Sequence, residues 1–416
     1  MRLLHTSDWH LGRTLHGVDL LDHQAAHLDH LVELARDEQV DAVLVAGDVY
    51  DRAVPPVEAV TLLSETLARL TEHTTVVVTP GNHDSATRLG FGAGLMRDRV
   101  RVRCRVAGLA DPVVLPDERG DVLVYALPYL DPDVVRRDLA EAGATEPLAR
   151  SHEAVMGAAM DRVRADLAGR VAGAARAGAQ RPRAMVVAHA FVVGGLPSDS
   201  ERDIRVGGVD VVPSGVFRGV DYVALGHLHG AQRVGADLAA DAEPADAEPA
   251  GPDTAVSPLL RYSGSPLAYS FSELRQVKST VLVDVDALPD AAAARLIPAP
   301  VPRRLAELTG PLDDLLGPAG DGHDDDWLRV TVTDAHRPQD LYRRVKDRFP
   351  HALVIQHRPP ERVGGAVRAG AVTQARDVLE VAAEFVEHVS GQGPTVAEAA
   401  VLRQAYEQVT AAERSA

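Results

Sequence analysis

The sequence predicts an α/β protein whose chemistry sits at strand ends, and two observations lead to that expectation. Short β-branched runs alternate with stretches of helical periodicity through the first part of the chain, as in β-α units built around a sheet. The runs then stop on Gly, Pro or polar residues and at once deliver Asp, Asn or His, in HTSDWHLG, VLVAGDVYD, TTVVVTPGNHDS and YVALGHLH.

Residues 2–7 read as a first strand and 20–36 as a helix, with Leu20, Leu21, Leu28, Leu31, Val32 and Ala35 near helical spacing. Residues 42–46 form a second strand. Pro55 and Pro56 suit a helix start, and that helix runs to Leu70 before the strand that empties into Gly81, Asn82, His83 and Asp84. In residues 96–106 Arg97, Arg99, Arg101, Arg103 and Arg105 occupy odd positions, with Val100, Val102, Cys104 and Val106 among the residues between them. As a strand this shows one arginine face, either a charge-guarded sheet edge or a track for a phosphate backbone. Residues 121–127 and 185–188 read as strands, the second ending on His189, and 151–175 as a long Ala-rich helix.

SDSERDIRVGG (198–208) is a polar loop, and residues 222–225 lead into Gly226, His227, Leu228 and His229. The near repeat DAEPADAEPA lies in an acidic stretch, about 236–256, that cannot bury a core and reads as a disordered insertion in a hairpin. Strands at 259–263 and 279–285 complete a first domain, 1–290. Pro298, Pro300 and Pro302 mark a linker to a small α+β domain, 298–363, with strands at 327–333 and 352–357 around a helix at 339–349. A hinge at 364–370 precedes a helical segment, 371–416. There Leu379, Ala382, Ala383, Val386 and Val389 share one helix face, which belongs either to the chain's own core or to a partner helix.

Composition bounds the function. The chain has 416 residues, 46% of them hydrophobic and 25% charged, an ordinary globular balance. Cys104 is the single cysteine, which excludes an internal disulfide or a cysteine zinc cluster and suits a reducing cytoplasm. No secretion signal or membrane-spanning run is evident. A net charge of −17 argues against a nucleic-acid partner, but the charge is uneven and bound divalent cations invert the local potential.

Asp8, His10, Asp48, Asn82, His189, His227 and His229 are donors of the mixed carboxylate, imidazole and amide kind that suits a pair of Mn, Fe or Zn-like ions. Singly, each His at a strand end is more often structural than a ligand; their joint occurrence beside turn residues points to two-metal phosphodiester hydrolysis. His83 is expected to stabilise the transition state or protonate the leaving oxygen, with Asp51 orienting its ring. Asp84 is expected to support a ligand from behind. His5, His16 and His23 read as structural.

These motifs resemble the calcineurin-like metallophosphoesterase superfamily and, within it, the SbcD family of bacterial nuclease subunits. The second resemblance rests on LLHTSDWHLG, VDAVLVAGDVYDR, SDSERDIRVGG, DYVALGHLH and RYSGSPLAYSFSE. It implies a four-layer α-β-β-α sandwich, a capping domain that shapes DNA access, and a C-terminal segment that binds an SbcC-type SMC-like ATPase. It implies one metal on Asp8, His10, Asp48 and His229, another on Asp48, Asn82, His189 and His227, and His83 as the catalytic residue. Manganese is the implied cofactor. Two nuclease and two ATPase subunits are the implied assembly, cutting duplex ends and hairpins during repair and recombination. A small-substrate phosphodiesterase and a non-catalytic ATPase scaffold are the competing readings.

Overall fold

The computed structural model describes residues 1–96, 99–201, 211–235, 257–360 and 378–413. Two compact units divide the chain, Met1–Pro359 and Pro360–Ala416. The acidic stretch 236–256, the hinge 364–370, Arg97 and most of the SDSERDIRVGG loop lie outside the described residues.

In chain order the first unit begins β1 (Arg2–Thr6), α1 (Leu21–Asp37), β2 (Ala42–Ala46), α2 (Val57–Leu70), β3 (Thr75–Thr79) and β4 (Val100–Val102). There follow β5 (Val113–Leu115), β6 (Val122–Ala126), α3 (His152–Arg176), β7 (Arg183–His189), β8 (Tyr222–Gly226), β9 (Gln232–Val234) and β10 (Leu259–Tyr262). Then β11 (Ser279–Asp284) and β12 (Ala294–Pro298) return to the first sheet. That sheet runs β12-β11-β1-β2-β3-β4 and the second β9-β10-β8-β7-β6-β5, each with parallel strands at its centre and antiparallel pairing toward an edge.

Alternation along each strand builds the layers. Leu3, Ala42, Leu44 and Val77 of the first sheet meet Val122, Val124, Met185, Val187 and Ala224 of the second in one inner core. On the outer face of the first sheet, Leu4, Val43, Val45 and Val78 pack on Leu28, Leu31 and Leu63 of α1 and α2. On that of the second, Leu123, Val186 and Val223 pack on Val155, Met160 and Val163 of α3. The result is the four-layer α-β-β-α sandwich that the resemblance implies. Between the sheets His5 is fully buried, with Nδ1 against the Tyr222 hydroxyl at 2.9 Å and Nε2 against the Leu225 carbonyl at 3.2 Å, a structural residue as expected.

Among the described residues, the arginine-alternating stretch is a strand over β4, an edge of the first sheet. Its side chains are already partly engaged: Arg99 donates to the carbonyls of Thr71 and Glu72, and Arg103 faces Asp111 at 3.6 Å. The edge position suits the charge-guard reading.

After β12 come β13 (Leu305–Gly310), α4 (Leu312–Leu316), β14 (Trp327–Val332), α5 (Leu341–Arg348) and β15 (Ala352–His357), a parallel three-stranded sheet with its own core. This small domain rests on the sandwich through Leu305 and Trp327, which pack with Leu15, Leu20, Leu267, Tyr269 and Phe271.

In the second unit, α6 (Val378–Ser390) and α7 (Val396–Glu413) form a helical pair. Thr395 caps α7 reciprocally: Glu398 Oε2 accepts from the Thr395 amide and hydroxyl, both at 2.8 Å, and the Glu398 amide donates to Thr395 Oγ1 at 3.3 Å. Leu379, Ala382, Ala383 and Val386 are half-buried, while Val378, Val381, Phe385 and Val389 form an exposed apolar row. No helix among the described residues is long and apolar enough to cross a membrane.

His27 of α1 is buried with neither ring nitrogen partnered, and burial holds its pKa at about 3 against an ordinary 6.5. The unfolded chain therefore binds a proton there that the folded chain refuses, so stability falls as pH drops below 6.5 toward 3. Replacing His27 with Leu removes this liability. In denaturant titrations, the variant is expected to lose about 2 kcal/mol less stability than wild type between pH 7 and pH 5.

Candidate metal centre

The loops after β1 and β2 are laced together before any ligand is considered. The Asp8 amide donates to the Gly47 carbonyl at 3.0 Å, His10 to Asp48 at 2.9 Å and Leu11 to Val49 at 2.9 Å. Asp8, His10, Asp48 and His227 all adopt positive φ, 54°, 45°, 49° and 109°, a conformation that non-glycine residues hold only when their surroundings impose it. Buried Gln24 of α1 ties this turn down, with its amide nitrogen on the Trp9 and His10 carbonyls and its oxygen accepting from the Gly12 amide.

Asp84 ties the third loop in. Its carboxylate accepts from the amides of Val49, Tyr50 and Gly81 at 2.9–3.0 Å, which makes it a brace between the β2 and β3 loops, and burial, with the charge of Asp48, pushes its pKa up to about 7. Gly81 lies so close to Asp48 that a Cβ there would collide with the Asp48 carboxylate and amide. From the second sheet, Gly226 passes against the Ala46 carbonyl and the His189 ring with equally little room.

Side chains from both sheets thereby converge. Asp8, His10 and His229 form one group whose donor atoms lie within 4.8 Å of one another, Asp8, Asp48 and His189 a second, and His10, Asp48 and His83 a third. Asn82 Oδ1 meets His189 Nε2 at 2.8 Å. His227 donates its backbone amide to Asp8 Oδ1 at 3.0 Å, and its ring lies 5.4 Å from that of His189. All seven expected ligands are thus at or beside one point. His83 joins them: its amide donates to Asp48 Oδ1 at 2.9 Å, and its ring stands edge-on to His10 at 4.7 Å.

Asp51 differs from expectation. It orients His83 through its backbone carbonyl, which accepts from Nδ1 at 2.7 Å, whereas its carboxylate turns toward His10 Nδ1 and Arg13 Nε, at 3.8 and 3.7 Å. A carbonyl at a fixed turn holds the ring without placing a charge on it. The reading from sequence also missed Gln24, Ser200, Tyr269 and Glu273, all in contact with the ligand loops.

The electrostatics describe a set of lone pairs in need of a cation. Burial pushes Asp8 up to about 6, against the pull of His189 and His229. Burial works the same way on Asp48, but His189, His10 and His83 outweigh it and hold its carboxyl well below the usual range. At His189 burial lowers the pKa, but the charges of Asp48 and Asp8 outweigh it and raise the value to about 9; at His10 and His227 burial dominates and holds the rings well below the ordinary value. His10 Nε2 faces His229 Nε2 at 3.1 Å, and His10 Nδ1 is buried without a partner. Two carboxylates, an amide oxygen and converging imidazoles fit divalent ions of the Mn, Fe or Zn kind.

Residues 1–231 match the calcineurin-like phosphoesterase family. The chain belongs to that family. Divalent metals are the cofactors the family implies, in agreement with the donor set. Residues 301–390 match a second model, the Type 5 capsule protein repressor C-terminal domain. Among curated relatives, the SbcD component of the SbcCD nuclease from Staphylococcus saprophyticus is 27% identical over 366 residues, covering 85% of this chain and 84% of that protein. Its counterpart from Bacillus subtilis, also an SbcD component of the SbcCD nuclease, is 35% identical over 291 residues, covering 68% of this chain and 66% of that protein. A Thermus thermophilus crystal structure aligns over 71% of this chain and 98% of its own, with 15% identity and a TM-score of 0.35.

Because a Cβ at residue 81 would overlap Asp48, Gly81→Ala is expected to displace that carboxylate and lower bound divalent metal per chain, measured by elemental analysis. Gly94→Ala, with open space around its Cβ, is the matched control and is expected to keep the wild-type metal content.

Proposed function

We propose that the chain is the nuclease subunit of an SbcCD-type complex. It hydrolyses DNA phosphodiesters with two Mn2+ ions, as a double-strand exonuclease and a single-strand or hairpin endonuclease. The observation that carries this reading is the convergence of Asp8, His10, Asp48, Asn82, His189, His227 and His229, from loops of two different sheets, on one buried point beside His83. The name shared by the curated relatives, a nuclease subunit, supports a nucleic acid as the substrate class.

In this reading Asp8, His10, Asp48 and His229 hold one ion, and Asp48, Asn82, His189 and His227 the other, with Asp48 shared. Bound there, the ions supply a nucleophile at neutral pH and a clamp on the phosphate oxygens. The chain's own residues do the rest. His83 is pinned through Nδ1 by the Asp51 carbonyl, so Nε2 is the nitrogen free to meet the phosphate or pass a proton to the leaving oxygen. Asp84 keeps the Asn82-His83 turn against the Asp48 loop through its three amide contacts.

The domain plan follows: a nuclease domain over 1–290, a cap over 298–363, and a helical segment over 371–416 that docks an SbcC-type SMC-like ATPase. The exposed row of Val378, Val381, Phe385 and Val389 on α6 supports the docking role. Two such chains work with two ATPase subunits at the nucleoid.

The test assays purified chain, alone and with its ATPase partner, on hairpin and blunt duplex DNA with Mn2+. Cleavage is expected. Rapid hydrolysis of a cyclic nucleotide with intact DNA would overturn the nuclease reading in favour of a small-substrate phosphodiesterase. His83→Ala is expected to lose cleavage by roughly 10²- to 10⁴-fold while binding both ions, whereas Asp48→Ala loses metal. Elemental analysis beside the cleavage assay separates the two.

A further inference from the structure

Two sequence motifs that the ligand set leaves unexplained meet behind His229. Ser200 and Glu201 come from the polar SDSERDIRVGG loop, and Ser265 and Glu273 from RYSGSPLAYSFSE. His229 Nδ1 contacts Ser200 Oγ at 2.6 Å and Glu273 Oε1 at 3.4 Å. Ser200 Oγ in turn donates to Glu273 Oε1 at 2.5 Å, and the His229 amide donates to Glu201 Oε1 at 2.8 Å. Behind Glu273, Lys278 donates to Glu273 Oε2, to the His229 carbonyl at 3.0 Å, to Ser265 Oγ at 2.9 Å and to Gln276 Oε1 at 2.7 Å. Glu273 and Lys278 are 1% and 6% exposed, so this is a built network within the fold.

The hydrogen bonds fix where the Ser200 proton lies. Glu273, paired with Lys278, offers acceptor atoms alone, so the single Ser200 hydroxyl proton points to it. Turned instead toward Ser198 Oγ, 2.9 Å away, that proton would leave the lone pairs of Ser200 and Glu273 opposed at 2.5 Å. Ser200 Oγ must then accept from His229, which puts a proton on Nδ1, and in the neutral ring Nε2 is then the bare lone pair, facing His10 Nε2. That is the tautomer a metal ligand needs.

Composition adds an independent argument. Of 43 basic residues, Lys278 and Lys346 are the only lysines; Lys346 bonds the Pro350 carbonyl on the surface of α5. A compact ammonium shared among four closely spaced acceptors is a task that the broad, planar guanidinium of arginine cannot take over. We propose that Ser200, Glu273 and Lys278 form a positioning relay that fixes the tautomer and orientation of His229 and so sets the affinity of one of the two metal sites. The relay rests on the metal-centre reading above.

The experiment titrates metal-free full-length protein with Mn2+ by calorimetry and melts the metal-free forms. Ser200→Ala is expected to weaken one Mn2+ site by roughly 10- to 100-fold and leave the other unchanged, while Ser200→Thr, which keeps the hydroxyl, stays near wild type. The pair Glu273→Met with Lys278→Met is expected to weaken the same site while the metal-free melting temperature holds near the wild-type value. An apolar pair of similar volume is a near-neutral exchange for a buried ion pair, and the two residues line a cavity of about 700 Å³ that gives the replacements room. If wild type and Ser200→Ala both take up two ions with equal affinities, the relay is wrong and the metal centre stands. If wild type takes up none, both fall. Should the doubly apolar variant not fold, Ser200→Ala decides alone, because Ser200 is half-buried and belongs to none of the hydrophobic cores.

Discussion

The close approach of the two sheets at the carboxyl ends of their parallel strands is the constraint on which the rest depends. There β8 brings Gly226 against the Ala46 carbonyl at the end of β2, and His189 from β7 meets that same carbonyl through Nδ1 across 3.0 Å. Nothing larger than glycine fits at that contact. Because the strands of both sheets run parallel there, their ends share one edge, and each loop that leaves it reaches the same point. The inner core of small and β-branched residues, Ala42, Ala46, Ala126 and Ala224 among them, is what lets the sheets lie this close.

That geometry concentrates acceptors that repel one another, and the fold spends backbone conformation to hold them. Four of the expected ligands sit at positive φ, and the turns that force them there are braced by Gln24, Asp84 and the hydroxyl of Tyr269, which donates to the Trp9 carbonyl at 2.5 Å. A loop free to relax would rotate Asp8 and Asp48 apart. The braces are neutral or accept from backbone amides, so they add rigidity with little change in charge at the centre. The negative charge of the whole chain is then less of an obstacle to an anionic substrate than −17 suggests, because divalent ions held at this point would outweigh its carboxylates.

The donor groups that converge at the candidate centre were legible in sequence because strand-to-loop transitions are local: a β-branched run followed by Gly-Asp or Gly-Asn-His announces itself within ten residues. Helix α1, the long helix α3 and strand β15 were legible for the same reason. What stayed hidden is short. β5 and β12 are edge strands of three and five residues, each held by one neighbouring strand, β6 and β11, and β13, opening the small domain, follows a proline-rich stretch that reads as linker. The arginine alternation of residues 96–106 has strand periodicity beyond β4, but among the described residues the backbone pairing with β3 ends at Arg99 and Arg103. Likewise, Asp51 stands three residues after Asp48, and sequence spacing does not distinguish a carboxylate that meets His83 from a carbonyl that does.

The segment from Leu267 to Glu273 joins these levels. Leu267, Tyr269 and Phe271 pack with Leu305 and Trp327 of the small domain, and Arg329 of β14 stacks on Phe271 at 4.5 Å. The same short stretch carries the Tyr269 hydroxyl to the Trp9 carbonyl and Glu273 to the His229 side of the centre. A displacement of the small domain therefore cannot leave the supports of His10 and His229 untouched, since one short, buried segment serves both. The packing that seats the small domain and the hydrogen bonds that aim two imidazoles are properties of the same backbone, which ties that domain's position to the geometry of the candidate metal centre.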